Sequence, residues 1–221
     1  MDAGKQLAVV KRYGLLNWVF ASVYKVFRRS IRYQALRCMT LSQHDVDPRF
    51  FEQPEGLEVK FLSATEFAAI PNATHPIPEA LLRKRAERND WSSVVLDGEK
   101  IVAYGWYTNS PCPLDDVYAF HFDRRHVYMY DGFTDPSYRG RQLHAYGMAH
   151  ALRKVTEDGS MGLVSYVEAD NFASLRSVAR LGYQVFGSCR SVRLFGRDFA
   201  WESKACRAHD TYIRPRVGLR E

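Results

Sequence analysis

A strand-like run ends at Phe133-Thr134, Asp135-Pro136 turns the chain, and Ser137-Tyr138-Arg139-Gly140-Arg141-Gln142-Leu143-His144 opens directly into helical spacing. The first amides of such a helix have no partner inside it, and the helix dipole adds positive potential there. A diphosphate seated on those amides needs no particular side chain. Arg139 and Arg141 bring cations to the same place. Read alone, the segment is equally a phosphate cradle or an ordinary turn with solvated arginines.

The elements around it follow from periodicity and punctuation. Residues 57–62 read as a strand, and Ser63 with Glu66 forms a capping box that starts a short helix. Pro76 and Pro78 introduce a helix over 79–88. Residues 91–96 and 101–107 flank Asp97-Gly98, a hairpin signal, because that pair accepts the positive φ angles of a tight turn. Strands are expected over 117–122 and 126–133, a helix over 141–155, and a short buried strand over 161–167. Asn171 caps a helix that Gly182 stops, and strands over 184–194 and 198–202 close the domain. The order is that of an α/β (α+β) single sheet with helices on both faces.

The 221 residues carry a formal charge of +6, which favours an anionic partner such as a nucleotide cofactor, a nucleic acid or a membrane surface. No nucleic-acid signature is present, so nucleic acid is not expected. Cys38, Cys112, Cys189 and Cys206 are widely spaced, form no CxxC pair, and imply neither a metal site nor a disulfide framework. They fit a reducing, cytoplasmic setting. No apolar run is long enough to span a bilayer, and the N-terminus lacks the layout of a secretory signal. Within residues 8–33, Leu16, Phe20, Val23, Phe27 and Ile31 line one helix face, with Lys25, Arg28, Arg29 and Arg32 beside or opposite it. That pattern suits an anionic membrane surface, or packing on the domain or on a second subunit of a homodimer. The expected division is a basic amphipathic extension over 1–42, a linker over 43–56, the main domain over 57–203, and a loose basic tail over 204–221.

Pro136, Tyr138, Arg139 and Gly140 match the V-x-P-x-Y-R-G-x-G-x-G/A signature of the GNAT (GCN5-related) acyl-CoA N-acyltransferases. Asn171, Ser174, Gly182 and Tyr183 match its N-x-x-A/S segment and terminal G-F, with Tyr183 for Phe. The chain thus resembles that superfamily over about residues 57–203. The resemblance implies a central mixed sheet with two splayed parallel strands, and acetyl-CoA (coenzyme A) as cofactor. The pantetheine arm would pair with the strand ending at Phe133 and Thr134, and the pyrophosphate would sit on the amides of Arg139, Gly140, Arg141, Gln142, Leu143 and His144. Asn171 and Ser174 complete the expected cofactor set. Gln142 and His144 replace the two later glycines, and Val178 stands where many members carry a thiolate-protonating Tyr.

Aminolysis of a thioester needs a neutral amine, hence a proton acceptor near neutral pH. Asp131, on the strand leading to the turn, and Glu168, at the end of the next strand, are the candidates. Each has a bracing or capping alternative. Tyr128, Tyr130 and Tyr166 could supply a proton to the thiolate or simply pack, and His126 and His144 titrate near neutrality, His144 being read first as a cofactor contact. The expected function is N-acetyl transfer to a primary amine of a small molecule or sugar nucleotide, in a membrane-associated pathway such as cell-envelope or polysaccharide assembly. A longer-chain acyltransferase and a non-catalytic acyl-CoA-binding module are the alternatives.

Overall fold

The computed structural model describes residues 10–11, 13–70 and 77–216. Helix α1 (Leu15–Ile31) leads into strand β1 (Gln34–Leu41), and two 3-10 turns at Gln43–Asp45 and Pro48–Phe51 carry the chain to β2 (Glu58–Ser63) and α2 (Ala64–Ala69). Helix α3 (Glu79–Glu87) precedes the hairpin of β3 (Trp91–Asp97) and β4 (Lys100–Thr108). Then come β5 (Cys112–Pro113), β6 (Tyr118–His121), β7 (His126–Thr134), α4 (Leu143–Glu157), β8 (Gly162–Glu168) and α5 (Phe172–Leu181). The chain ends through β9 (Gln184–Leu194), β10 (Arg197–Glu202), α6 (Lys204–Ala208) and β11 (Tyr212–Pro215).

Local chemistry accounts for the boundaries. The Glu66 amide donates to Ser63 Oγ at 3.2 Å while the Ser63 amide donates to Glu66 Oε2 at 2.8 Å, the reciprocal box that starts α2. Asn171 Oδ1 accepts from the Ser174 amide at 3.1 Å and starts α5. Gly182 ends α5 with φ of 115°, and a Cβ there would lie 2.2 Å from the Asp45 carbonyl oxygen, so both conformation and space require glycine. Pro76 lies outside the described residues, as do residues 8, 9 and 12 of the expected first helix.

Eight strands form one sheet in the order β10-β9-β1-β8-β7-β4-β3-β2, and β11-β6-β5 form a small second sheet. Among the described pairings β7–β8 is the parallel one, and the rest are antiparallel. Side chains alternate across the large sheet. Val127 and Met129 join α4 and α5 in one apolar cluster, and Tyr128 joins Phe120, Ile213 and Cys206 of the small sheet and α6 in another. Helices therefore cover both faces. Cys38, Cys189 and Cys206 meet inside the second cluster with their sulfur atoms within 4.8 Å of one another, a convergence that sequence spacing does not reveal. All four cysteines are free thiols.

The expected division of the chain needs correction in three places. Residues 34–41, assigned to the extension, form β1 in the middle of the sheet, paired to β8 on one side and β9 on the other. A strand covered on both faces has no clean polar alternation to betray it, and Leu36, Cys38, Met39 and Leu41 are all essentially unexposed. The 43–56 segment is docked: Phe50 is buried, the Arg153 guanidinium donates to the Phe51 carbonyl at 2.8 Å, and the His150 ring lies 2.9 Å from that of Glu52. The tail is structured through residue 215 by α6 and β11, and residues 217–221 lie outside the described residues.

A piece spanning 43–221 should therefore fail to fold, because β8 and β9 lose the strand between them. Thermal unfolding followed by far-ultraviolet circular dichroism should give no cooperative transition for that piece, whereas a transition matching the full chain's would return β1 to the status of an appendage.

Candidate active site

The parallel strands β7 and β8 pair at His126, Val127 and Tyr128 against Gly162, Leu163 and Val164, and then part. Beyond that point β7 pairs with β4, and β8 with β1. Ser165 Oγ bridges the gap near its vertex, donating to the Met129 carbonyl at 3.0 Å. The register of β7 against β4 shifts in the same stretch, and Asp131 there takes φ of +46°, a left-handed conformation uncommon for a residue with a side chain.

Two cavities open on this splay. The first, of about 390 Å³, lies at the N-terminus of α4 and is lined by Thr134, Tyr138, Arg139, Gly140, Gln142, Leu143 and His144, by Arg176, Ser177 and Arg180 of α5, and by Tyr13 and Phe50. Among the described residues its lining holds three arginines and no carboxylate. Gln142, at the helix N-cap, adopts φ of +59° and makes no side-chain capping bond, while the Ala145 amide is already turned back to the Gln142 carbonyl at 2.8 Å. The helix end is thus left open toward an anion. The turn is anchored from below: Tyr138 Oη donates to Asp97 at 2.5 Å, and Asp135 accepts from the Ser137 amide at 2.9 Å.

The second cavity, of about 380 Å³, fills the splay itself. Tyr128, Tyr130, Asp131 and Gly132 come from β7, Ser165 and Tyr166 from β8, Ser174, Ser177 and Val178 from α5, and Cys112 and Pro113 from β5. Two side chains, His144 and Ser177, line both cavities. The His144 ring lies under Gly132, where an added Cβ would come within 2.3 Å of its Cε1, so only a residue without a side chain leaves the ring in place. Burial pushes the imidazole down from 6.5 to about 4, against a hydrogen bond with the Tyr104 backbone, and the ring is neutral at physiological pH.

The expected site residues divide among these features. Thr134, Arg139, Gly140, Gln142, Leu143 and His144 line the first cavity, but Arg141 lies outside that lining, over the Tyr138 ring at 5.6 Å. Phe133 stacks on Tyr104 at 5.5 Å within the core. Asn171 is the cap of α5, and Ser174 faces the second cavity instead of the first. Glu168 is not among the residues lining the splay; its carboxylate sits 2.5 Å from Arg28 and ties α1 to the end of β8. Asp131 is in the splay with its side chain 45% exposed, paired to the buried guanidinium of Arg85. That guanidinium also lies over the Trp106 ring at 4.3 Å. Tyr130 Oη donates to the buried Asp90 carboxylate at 2.6 Å. Tyr128 lies in an aromatic stack with Phe120, Phe122, Tyr130 and Tyr166, and burial holds its hydroxyl well above the usual range. Burial likewise pushes Tyr166 up to about 12 and lowers His126. Sequence reading missed Arg176, Ser177 and Arg180 as site residues, although with Ala173 they recur at the three- and four-residue steps of one helix face.

Residues 61–183 match the model of the acetyltransferase (GNAT) family. A mycothiol acetyltransferase of Brachybacterium faecium is 32% identical over 130 residues, which cover 55% of this chain and 36% of that protein. The match thus spans little more than a third of that curated relative. Among solved structures, a Drosophila protein superposes with a TM-score of 0.50 at 19% identity, over 83% of this chain and 58% of that one, a likeness of fold. A GCN5-related N-acetyltransferase-like protein from Streptococcus suis superposes with a TM-score of 0.48 at 14% identity, over 90% and 68% of the two chains. The open helix end, the arginine-lined cavity and the splayed strands agree with the sequence match, and the chain belongs to the acetyltransferase (GNAT) family.

Proposed function

We propose that the protein transfers the acetyl group of acetyl-CoA to a primary amine of a small molecule or sugar nucleotide, by direct attack and in a membrane-proximal setting. The observation that carries this reading is that the anion cavity and the splay meet at His144 and Ser177. A thioester held from the first cavity then reaches an amine held in the second. Arg139, Arg176 and Arg180 are the cations for the phosphates, with the open amides of α4 beneath them. The edge of β7 beyond Tyr128, past the end of its pairing with β8, accepts the pantetheine arm as an added strand would. Acetyl-CoA supplies the acyl thioester and leaves as the free thiol.

Within the splay, Asp131 orients the incoming amine through the exposed part of its carboxylate, while its ion pair with Arg85 fixes the side chain. The neutral His144 imidazole accepts a hydrogen bond from the attacking nitrogen. The amine nitrogen bonds to the carbonyl carbon, the carbon–sulfur bond breaks, one amine proton leaves to solvent, and the thiolate takes up a proton. Val178 leaves that last step without a tyrosine, and the Ser177 hydroxyl, common to both cavities, is the donor or water relay we assign to it. Glu168 serves α1 and not the base role.

Incubation with acetyl-CoA and a panel of amines, with free thiol as the readout, should show turnover for at least one amine. Tight coenzyme A binding without turnover on any of them would contradict catalysis and leave a binding module. Reversing Arg176 and Arg180 together to Glu should raise the KM for acetyl-CoA by roughly tenfold or more, since charge-assisted contacts contribute about 1.5–3 kcal/mol each, with the unfolding temperature little changed. An unaltered KM would move the phosphates elsewhere.

His144 also leaves a signature in stability. Its folded value of about 4 lies below the ordinary 6.5, so its contribution is present above pH 6.5 and is lost as pH falls toward 4, where the unfolded chain binds a proton the folded chain does not. His121 and His126 are also lowered by burial and slope the same way. The comparison is therefore between the wild type and His144→Gln. The variant should lose less unfolding temperature between pH 7 and pH 5, and equal losses would mean that the ring is not buried as described.

A further inference from the structure

Helix α1 carries an apolar surface that no described residue covers. Leu16 is 85% exposed, Val26 63% and Leu15 61%, and Val19, Val23 and Phe27 are each at least 44% exposed. At 100° per residue these positions fall in one continuous sector. The sector beside it packs on the domain through Ala21 and Tyr24. Lys25, Arg29 and Arg32 occupy the remaining edge, and no Asp or Glu occurs between residues 10 and 33.

A second element extends this surface. Phe20 and Tyr24 share a groove with Arg190 of β9. Arg190 pairs across the strands with Trp201, which places both side chains on one face. Trp201 and Phe199 on that face are 42% and 48% exposed, and Phe195 at the hairpin tip is fully exposed between Arg193 and Arg197. Apolar helix face, basic edge and adjoining aromatics with arginines are the chemistry of the bilayer interface.

We propose that α1 and the β9–β10 hairpin form a docking surface for an anionic lipid bilayer, with α1 lying in the plane of the headgroups. No helix among the described residues is long and apolar enough to cross a membrane, so the contact is superficial. The charges argue against a second copy of this chain as the occupant. In an isologous contact centred on α1, cation edge would be set against cation edge, with no acidic residue on either helix. Lipid phosphates complement that edge.

The docking surface adjoins the cleft. Phe20 lies 6.3 Å and Tyr13 5.7 Å from the ring of Phe172, which opens α5, and Tyr13 itself lines the arginine cavity. On the acetyl-transfer reading, the acceptor is then an amine presented at the membrane surface. That consequence rests on the proposed reaction, and the docking does not.

The test is co-sedimentation of the full chain with vesicles of neutral phosphatidylcholine, or of phosphatidylcholine with phosphatidylglycerol, at low and high salt. Truncation is unsuitable because it approaches β1, so point variants on exposed positions are used. The wild type should sediment with the anionic vesicles and not with the neutral ones, and binding should fall steeply with salt. Lys25→Glu with Arg29→Glu should weaken binding by roughly five-fold or more per cation, and Val23→Asp with Val26→Asp should abolish it, all with native circular dichroism and unfolding temperature. No binding of the wild type to anionic vesicles overturns the proposal. So does unchanged binding by both variants, or a stable dimer in solution that Val23→Asp with Val26→Asp converts to monomer without any vesicle binding. Vesicle binding is read without turnover, so its failure is separate from failure of the acetyl-transfer reading.

Discussion

Two parallel strands that stop pairing turn backbone edges toward a gap instead of toward each other, and β7 and β8 do so after Tyr128 and Val164. Much of the site is organised by that gap. The strands can part because each keeps its other neighbour, β4 for β7 and β1 for β8, so the sheet stays continuous on both sides. Ser165 limits the opening by bonding to the Met129 carbonyl. What remains is a slot with backbone donors and acceptors on one wall and α5 across its mouth. An extended, amide-bearing ligand meets those groups better than water confined there does.

Electrostatics divide the cleft in two. The side at α4 carries Arg139, Arg176 and Arg180 with no carboxylate among its described lining residues, and helix amides point the same way. The side in the splay carries Asp131, held by the buried Arg85, and hydroxyls that burial keeps protonated. Arg85 is 2% exposed, with two of its nitrogens lacking a hydrogen-bond partner among the described residues. Asp131 is thus the charge that compensates it, at the cost of a left-handed backbone at the bulge. Anionic carrier on one side and amine on the other is the order that acyl transfer needs, and His144 stands between them without adding charge.

Much of this was legible in the residues, for identifiable reasons. Ser63 with Glu66, Gly98, Asn171 and Gly182 carry local chemistry, and each did in the structure what its type dictates, whereas Asp97 ends β3 opposite Lys100 and leaves the positive φ to Gly98. The loop from Tyr138 to His144 was legible because an open helix end depends on backbone and not on distant partners. Long-range facts were not. β1 is buried on both faces and gives no alternating pattern, so it read as part of an extension. The partners of Glu168 and Asp131 are Arg28, 140 residues away, and Arg85, 46 away, and nothing in either neighbourhood announces them. Arg176 and Arg180 had a readable helical spacing, but the face they share becomes a wall only once α5 is set against α4.

The central claim is that the open end of α4 and the parted strands hold one continuous ligand. A crystal structure of the protein with coenzyme A tests it directly. The account predicts the diphosphate on the amides of residues 139–144 beside Arg176 and Arg180, the pantetheine along β7 beyond Tyr128, and the sulfur between His144 and Ser177. Coenzyme A bound with its diphosphate away from that helix end, or with its thiol outside the splay, would contradict it.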